Sequence, residues 1–291
     1  RIEVEFDTVF KHGLKYMTEY FISRDHGIVG LTPGDAKALH SISGQRELLE
    51  KLTRLIIPGK FNEIVNLAIP ALSLISNTLN DPGKSHFVGL PKLPAGTGIP
   101  TSIDNQELFH LLTLRADEIP QEVGRKGIDG YLSFYLDVLH SVERWPDRDG
   151  DFKVFNYSHR DTGHYTQELP LEPEINFDMH MLLGIPRSDH SAIHCLHLDE
   201  EQEAAYEALH AVYMKLLPGD DYQEEQSKLF GYPDSIQNCA SFEAERLKSG
   251  KDYPEVSFED AKRWKLLLQI SPYSGALRFF EDFVDGTIYF M

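Results

Sequence analysis

The chain has 291 residues, 41% hydrophobic and 25% charged, with a formal net charge of −18. That composition belongs to a folded protein with enough chain for a sizeable core, and it excludes disordered, collagen-like and mucin-like classes. Two cysteines, Cys195 and Cys239, are too few for a disulfide scaffold, which points to a reducing, cytoplasmic setting.

The charge is unevenly placed. Residues 1–80 carry nine basic and nine acidic side chains, so the whole excess falls on residues 81–291, and 199–260 holds sixteen acidic against five basic residues. Such a field repels nucleic acid and anionic lipid and speeds association with a basic partner. The simpler explanation is an acidic surface that keeps the protein soluble. The longest apolar run, Ile64 to Ile75, is interrupted by Asn66, Pro70 and Ser73 and falls short of the roughly 18 residues a membrane span needs, so no membrane contact is expected. The opening at Arg1 and the close at Met291 inside an apolar stretch point to flanking residues on either side.

In chain order, residues 1–80 read as a helical N-terminal layer. Phe6, Val9, Phe10, Leu14, Met17 and Phe21 recur at spacings of three and four. So do Leu48, Leu52, Leu55 and Ile56, and then Phe61, Ile64, Val65, Ile69 and Leu72. Thr32-Pro33 fits a helix start, Pro58-Gly59 and Asp81-Pro82-Gly83 close segments, and Pro70 should kink or end the third helix. These wide apolar stripes are expected to pack on a sheet.

Residues 81–291 change texture to short strands punctuated by Gly and Pro. Phe87 to Pro100 is an extended winding segment. Leu108 to Leu114, Gly130 to Leu136 and Phe152 to Tyr157 read as strands. Ala192 to Leu198 also reads as a strand, and Asp199 followed by Gln202 is a capping box opening a helix that runs to Pro218-Gly219. Trp264 to Ile270 reads as a strand covered on both sides, with Gln269 the polar residue inside it. Asp285-Gly286 fits a tight hairpin turn into Thr287 to Phe290. One order of phrases occurs twice: Phe87-Val88-Gly89-Leu90-Pro91, a buried strand and Gly130 to Tyr135, then Phe230-Gly231-Tyr232-Pro233, a buried strand and Gly275 to Phe280. Leu182-Leu183-Gly184-Ile185-Pro186 is a third, partial phrase. The expected fold is therefore α+β, an internally duplicated, largely antiparallel sheet with a helical N-terminal layer in one compact unit.

The same residues carry a resemblance. Gly89-Leu90-Pro91, Leu93-Pro94 and Ile99-Pro100, then Gly130 to Tyr135, Leu229 to Gln237, Leu266 to Ile270 and Gly286 to Phe290 resemble the successive signatures of the YwqG-like family, a bacterial family of unknown function. The resemblance covers about residues 85–291 and leaves the first eighty aside. It departs at His110 to Leu114, where the family tends to carry a glutamine, and at Ile99-Pro100, where it tends to carry Trp-Pro. The resemblance implies an internally duplicated α+β fold and supplies no catalytic residues. Some members are encoded near bacterial toxin systems, which makes toxin neutralisation one implied role.

Candidate chemistry is sparse. His190, His194 and His197 would share a face on a continuous helix, as metal ligands do, but on a strand His194 and His197 diverge, so no metal is expected. Cys195 reads as buried packing, and Cys239 as a loop cysteine without an inferable histidine partner. Asp147-Arg148-Asp149-Gly150-Asp151 has calcium-loop spacing without the closing glutamate, since Ser158 stands there, and reads as a plain loop. No phosphate loop, nucleophile elbow or dinucleotide fingerprint is present, and no cofactor is expected.

Two surfaces remain. In Gly231 to Gln237, Tyr232, Asp234 and Gln237, with Gln269 opposite, would line a polar cleft for a small ligand or an enzymatic reaction. The architectural reading is that Tyr-Pro-Asp builds a turn and Gln269 satisfies backbone groups. Asp220, Asp221, Glu224 and Glu225 form an acidic cluster that is either a solvated face or a dock for a basic partner. The expected function is a non-enzymatic protein-binding module, in its sharpest form an immunity-type neutraliser of a basic toxin, with the polar cleft as the alternative. A subunit of a larger assembly is a third reading, and it requires an exposed apolar patch on residues 1–80.

Overall fold

A computed structural model describes residues 39–77, 84–89, 91, 93, 96–123, 128–137, 150–158, 174–217, 226–235, 239–271 and 287–291. Among these, nine strands form one sheet: β1 (Ile69–Ser76), β2 (His86–Phe87), β3 (Phe109–Arg115), β4 (Tyr131–Leu136), β5 (Phe152–Tyr157), β6 (Ile175–Gly184), β7 (Lys228–Phe230), β8 (Leu268–Ile270) and β9 (Ile288–Phe290). Their spatial order is β5-β4-β3-β2-β6-β1-β7-β8-β9, and neighbouring strands run antiparallel. The sheet curls into a half-barrel. Phe290 of the edge strand β9 therefore meets Phe134 of β4 and Phe152 of the opposite edge β5, at ring distances of 5.1 and 6.1 Å.

Period-two alternation explains how the sheet folds. The register carries an apolar row, Phe134, Leu112 and Phe87, across one flank, and another, Leu72, Leu229, Leu268 and Phe290, across the other. All seven side chains are buried in one core cluster. Each contributes about 1.5–3 kcal/mol relative to exposure. The alternate positions carry polar rows: Ser133, Thr113, His86 and Asn176 on the first flank, and Ser73, Lys228, Gln269 and Tyr289 on the second. Most of these are buried as well, so that face is covered rather than solvated.

Helices α1 (Ile42–Ile56), α2 (Phe61–Leu67), α3 (Ser191–His194), α4 (Glu200–Leu216), α5 (Ala240–Ser249) and α6 (Phe258–Ala261) complete the described fold. The apolar sides of α1 and α4 share a second core with Leu183 and Ile185 from the end of β6. Buried Gln45 ties α1 to β6. Its Nε2 donates to Leu39 O and Met181 O at 2.8 and 3.0 Å, and Leu183 N donates to its Oε1 at 2.6 Å.

Several expectations hold: the strands at 109–115, 131–136 and 152–157, the helix over 42–56, and the capping box of Asp199 and Gln202 that opens α4. Others are corrected. The apolar spacing of Phe61 to Leu72 reads as one helix, but α2 ends at Leu67 and Ile69–Ser76 is a central strand, paired along its length with β6. Pro70 is tolerated because it stands at the start of the strand, before the pairing with β7 that begins at Ala71. Residues 192–198 are not a strand: α3 occupies Ser191–His194, and Cys195 is half-buried at its end. The strand expected over 264–270 is confined to Leu268–Ile270. Its neighbours in the sheet are β7 and β9. The helix expected over 6–21, the calcium-like loop at 147–149, Gly275 to Phe280 and the turn at Asp285-Gly286 lie outside the described residues. No helix among the described residues is long and apolar enough to cross a membrane.

The two flanks share backbone details. Val88 and Gly89 have φ of 49° and 74° after β2, and Phe230 and Gly231 have 59° and 75° after β7. Val88 N donates to Leu111 O at 3.0 Å and Phe230 N to Leu267 O at 3.2 Å. Ser85 Oγ accepts from Arg115 N at 2.8 Å, and Ser227 Oγ from Ser271 N at 3.1 Å. Glycine is required at both turns: a Cβ on Gly231 would stand 2.7 Å from Ala71 Cβ, and one on Gly89 would run into Glu174.

Candidate functional site

The second polar row places two of the sequence-derived candidates, Asp234 and Gln269, together. β7 presents Lys228, β8 presents Gln269, and the turn after Gly231 brings Asp234 over both. Gln269 Oε1 accepts from Asp234 N at 2.8 Å, and its Nε2 donates to Asp234 Oδ2 at 3.0 Å and to Gln226 O at 2.7 Å. Lys228 Nζ pairs with the same Asp234 Oδ2 at 2.6 Å. Tyr289, beside Gln269 in β9, donates its hydroxyl to Asp234 O at 2.8 Å.

Tyr232 turns the other way. Its hydroxyl donates to Leu67 O at 2.6 Å, and its ring meets His190 edge-on at 4.9 Å. Burial pushes its phenol up to about 12. A tyrosine so placed holds its proton at neutral pH and is already donating it, which suits an anchor rather than a general acid. Gln237 and the acidic cluster Asp220, Asp221, Glu224 and Glu225 lie outside the described residues.

The carboxylate of Asp234 thus has an ammonium and an amide on one oxygen, and Gln269 has backbone or carboxylate partners at both ends of its amide. This arrangement neutralises charge and satisfies buried backbone groups. Its chemical capacity lies in holding the 231–235 turn against β7–β9. His210 of α4 lies within the electrostatic reach of this cluster. Burial pushes its imidazole down to about 4, with Asp234 opposing and Arg187 and Lys228 reinforcing the shift.

Sequence reasoning missed Lys228 and His210. Lys228 had a usable signal, since alternation with Leu229 in a short strand puts it on the face opposite the core. His210 had none, because a histidine on an amphipathic helix is unremarkable until its neighbours are known.

The remaining candidates take structural places. His190 caps α3, its Nδ1 accepting from Ala192 N at 3.1 Å, and burial lowers it to about 4. His194 stacks on Phe258 at 4.2 Å, and His197 has a φ of 50°. Among the described residues no three His, Cys, Asp or Glu side chains gather as metal ligands. Cys239, expected in an open loop, is instead buried at the start of α5 beside Ser241 and Ser191, at 3.0 and 3.4 Å. Burial and a hydrogen bond with Glu259 raise the Cys195 thiol, so its thiolate is disfavoured.

No curated protein matches the chain. A family described as "Domain of unknown function (DUF1963)" matches residues 85–291, from the strand that opens the first flank to the last strand of the second. The chain therefore belongs to the DUF1963 family, whose domain takes in β2 through β9, the first polar row, and Lys228, Gln269 and Tyr289 of the second.

Proposed function

We propose that the chain is a non-enzymatic protein-binding module for a basic partner. The observation that carries this reading is the solvent face of α4. Glu200, Glu201, Glu203 and Glu207 are exposed there, while Ala205, Tyr206, Ala208 and Leu209 on the other side are buried. The first three also favour the helix N-terminus through its dipole, whereas Glu207 lies beyond the first turn, where its carboxylate accepts from Ser188 Oγ at 3.0 Å. Asp220, Asp221, Glu224 and Glu225 extend the same charge along the sequence. In its sharpest form the partner is a basic bacterial toxin that the module neutralises, a form that rests on the YwqG-like resemblance alone.

The test is affinity capture at low salt with the wild-type chain and with a variant carrying Glu200→Gln, Glu201→Gln, Glu203→Gln and Glu207→Gln. A Lys/Arg-rich protein retained by wild type, weakened by salt and bound ~10-fold less by the variant is the expected result. Equal retention by both chains, or retention of no basic protein, overturns the reading.

A second reading keeps the polar cleft for a small ligand or reaction. It is favoured by Asp234, whose side chain retains 16% exposure above Lys228 and Gln269, with Gln237 three residues on. Against it stands the full engagement of Gln269. We also read the two flanks as copies of one unit, supported by the recurring turn angles and by the matched Val88/Phe230 and Ser85/Ser227 hydrogen bonds.

A further inference from the structure

Six large apolar side chains are exposed among the described residues, and three of them, Leu247, Tyr253 and Phe258, sit on α5, on α6 and in the segment that joins them. They belong to one surface. Phe258 stacks on the exposed His194 at 4.2 Å and meets Phe242 at 5.3 Å. Phe242 in turn lies nearly parallel to Tyr253 at 6.1 Å, and the Arg246 guanidinium stands over the Tyr253 ring at 5.3 Å. Leu247 follows Arg246, one helical turn after Glu243, which accepts from the Tyr253 hydroxyl. Leu247 and Tyr253 keep half of their surface in solvent, and Phe258 keeps 40%. A connected apolar strip of this kind marks a contact site, whereas single exposed apolar residues are ordinary.

Charge sets this strip apart from the rest of the chain. Residues 240–265, which carry all of it except His194, hold six basic and six acidic side chains, so the net charge of −18 falls outside them. Three of the opposite pairs close within the segment: Arg246 with Glu243 at 2.9 Å, Arg263 with Glu245 at 2.8 Å, and Lys262 with Glu259. Lys248, Lys251, Asp252 and Glu255 are exposed in the same stretch. Two copies of a strongly acidic chain repel where their surfaces carry the excess charge. On this strip they meet without it.

We propose that the α5–α6 strip is a self-association surface, on which a second copy of this chain docks face to face about a two-fold axis. Charge complementarity selects that occupant. A strip with equal numbers of both signs favours neither a basic nor an acidic partner, but it matches itself: a two-fold axis sets Lys248 and Lys251 of one copy against Asp252 and Glu255 of the other while Leu247, Tyr253 and Phe258 close over one another. Three partly exposed side chains make a contact at the small end of specific interfaces, so the dimer is reversible rather than obligate. The strip uses none of the α4 glutamates and stands whether or not a basic partner exists.

The experiment is analytical ultracentrifugation of the full chain from ~1 μM to ~1 mM, at low and at high salt. The expected result is a mass that rises with concentration to that of a dimer, and rises further in high salt, which screens the net repulsion and leaves the apolar contact in place. Leu247→Glu sets two like charges at the axis and should weaken the dimer ~10-fold or more without moving the thermal midpoint, because Leu247 is exposed. Phe258→Ser is the independent second variant. Hydrogen exchange over residues 242–258 should slow as the dimer fills. A monomer at every concentration overturns the proposal, whatever other protein the strip retains, and so does a dimer that both variants keep. Association that weakens with salt and is lost with Glu200→Gln, Glu201→Gln, Glu203→Gln and Glu207→Gln puts the α4 face in the contact and overturns it as well.

Discussion

Gln269 grips Asp234 by both ends of its amide, accepting from the backbone nitrogen at 2.8 Å and donating to the carboxylate at 3.0 Å, across 35 residues of sequence. This double bond, with Lys228 beneath, decides how the 231–235 turn sits on the sheet. Replacing Gln269 by Ala leaves Asp234 N and Gln226 O without partners in a buried place. An unsatisfied buried group costs about 1–3 kcal/mol. The expected loss is roughly 2–4 kcal/mol by urea unfolding, with an unchanged m-value.

Breaking the Lys228–Asp234 pair from one side exposes its cost. Asp234→Ala leaves the Lys228 ammonium, 8% accessible, without its carboxylate. A one-sided break of a buried pair costs about 3–5 kcal/mol, and the 16% accessibility of Asp234 brings the expectation to about 2 kcal/mol. Lys228→Met in the same chain should recover at least half of that loss. A double-mutant cycle on thermal midpoints checks it, and strict additivity of the two changes would refute the coupling.

The turn glycines separate strain from crowding. Gly231 and Gly96 both have positive φ, 75° and 79°, but a Cβ on Gly231 meets Ala71 at 2.7 Å whereas one on Gly96 meets nothing within 4 Å. Gly96→Ala should cost only the backbone strain, about 1 kcal/mol. Gly231→Ala should cost at least about 1 kcal/mol more, measured by the same denaturation curves.

Stability should fall with acid in a defined window. Burial lowers His110 to about 3 and His190 to about 4, against the ordinary imidazole value of 6.5. Between pH 6.5 and about 4 the unfolded chain binds protons that the folded chain refuses, so each group favours the native state at neutral pH and loses that contribution as pH drops through the window. The slope approaches roughly 1.4 kcal/mol per pH unit for each histidine in mid-window. Unfolding midpoints at pH 7.0, 6.0 and 5.0 test this, and a His190→Gln variant should show a shallower decline.

Parts of this protein follow from local sequence and parts do not, for a physical reason that particular residues make plain. The capping box at Asp199 and Gln202, the apolar stripe of Leu48, Leu52 and Ile56, though not Leu55, which is exposed, and the β-favouring runs at 109–115 and 131–136 rest on interactions within a few residues, and they form where the sequence places them. Membership of an uncharacterised family over residues 85–291 lay equally open, though not its YwqG-like name, because turn residues such as Gly89 and Gly231 are dictated by backbone angles. Ile69 to Ser76 shows the limit. Its spacing continues a helical stripe, and only pairing with β6, more than a hundred residues away, makes it the centre of the sheet. The same holds for the candidate site. Tyr232, Asp234 and Gln269 were visible as polar residues in marked places, yet whether they form a cleft or an anchor depends on Lys228, Leu67 and Tyr289. Those three come from other strands and a helix, and only strand pairing and the turn after Gly231 bring them within hydrogen-bond reach.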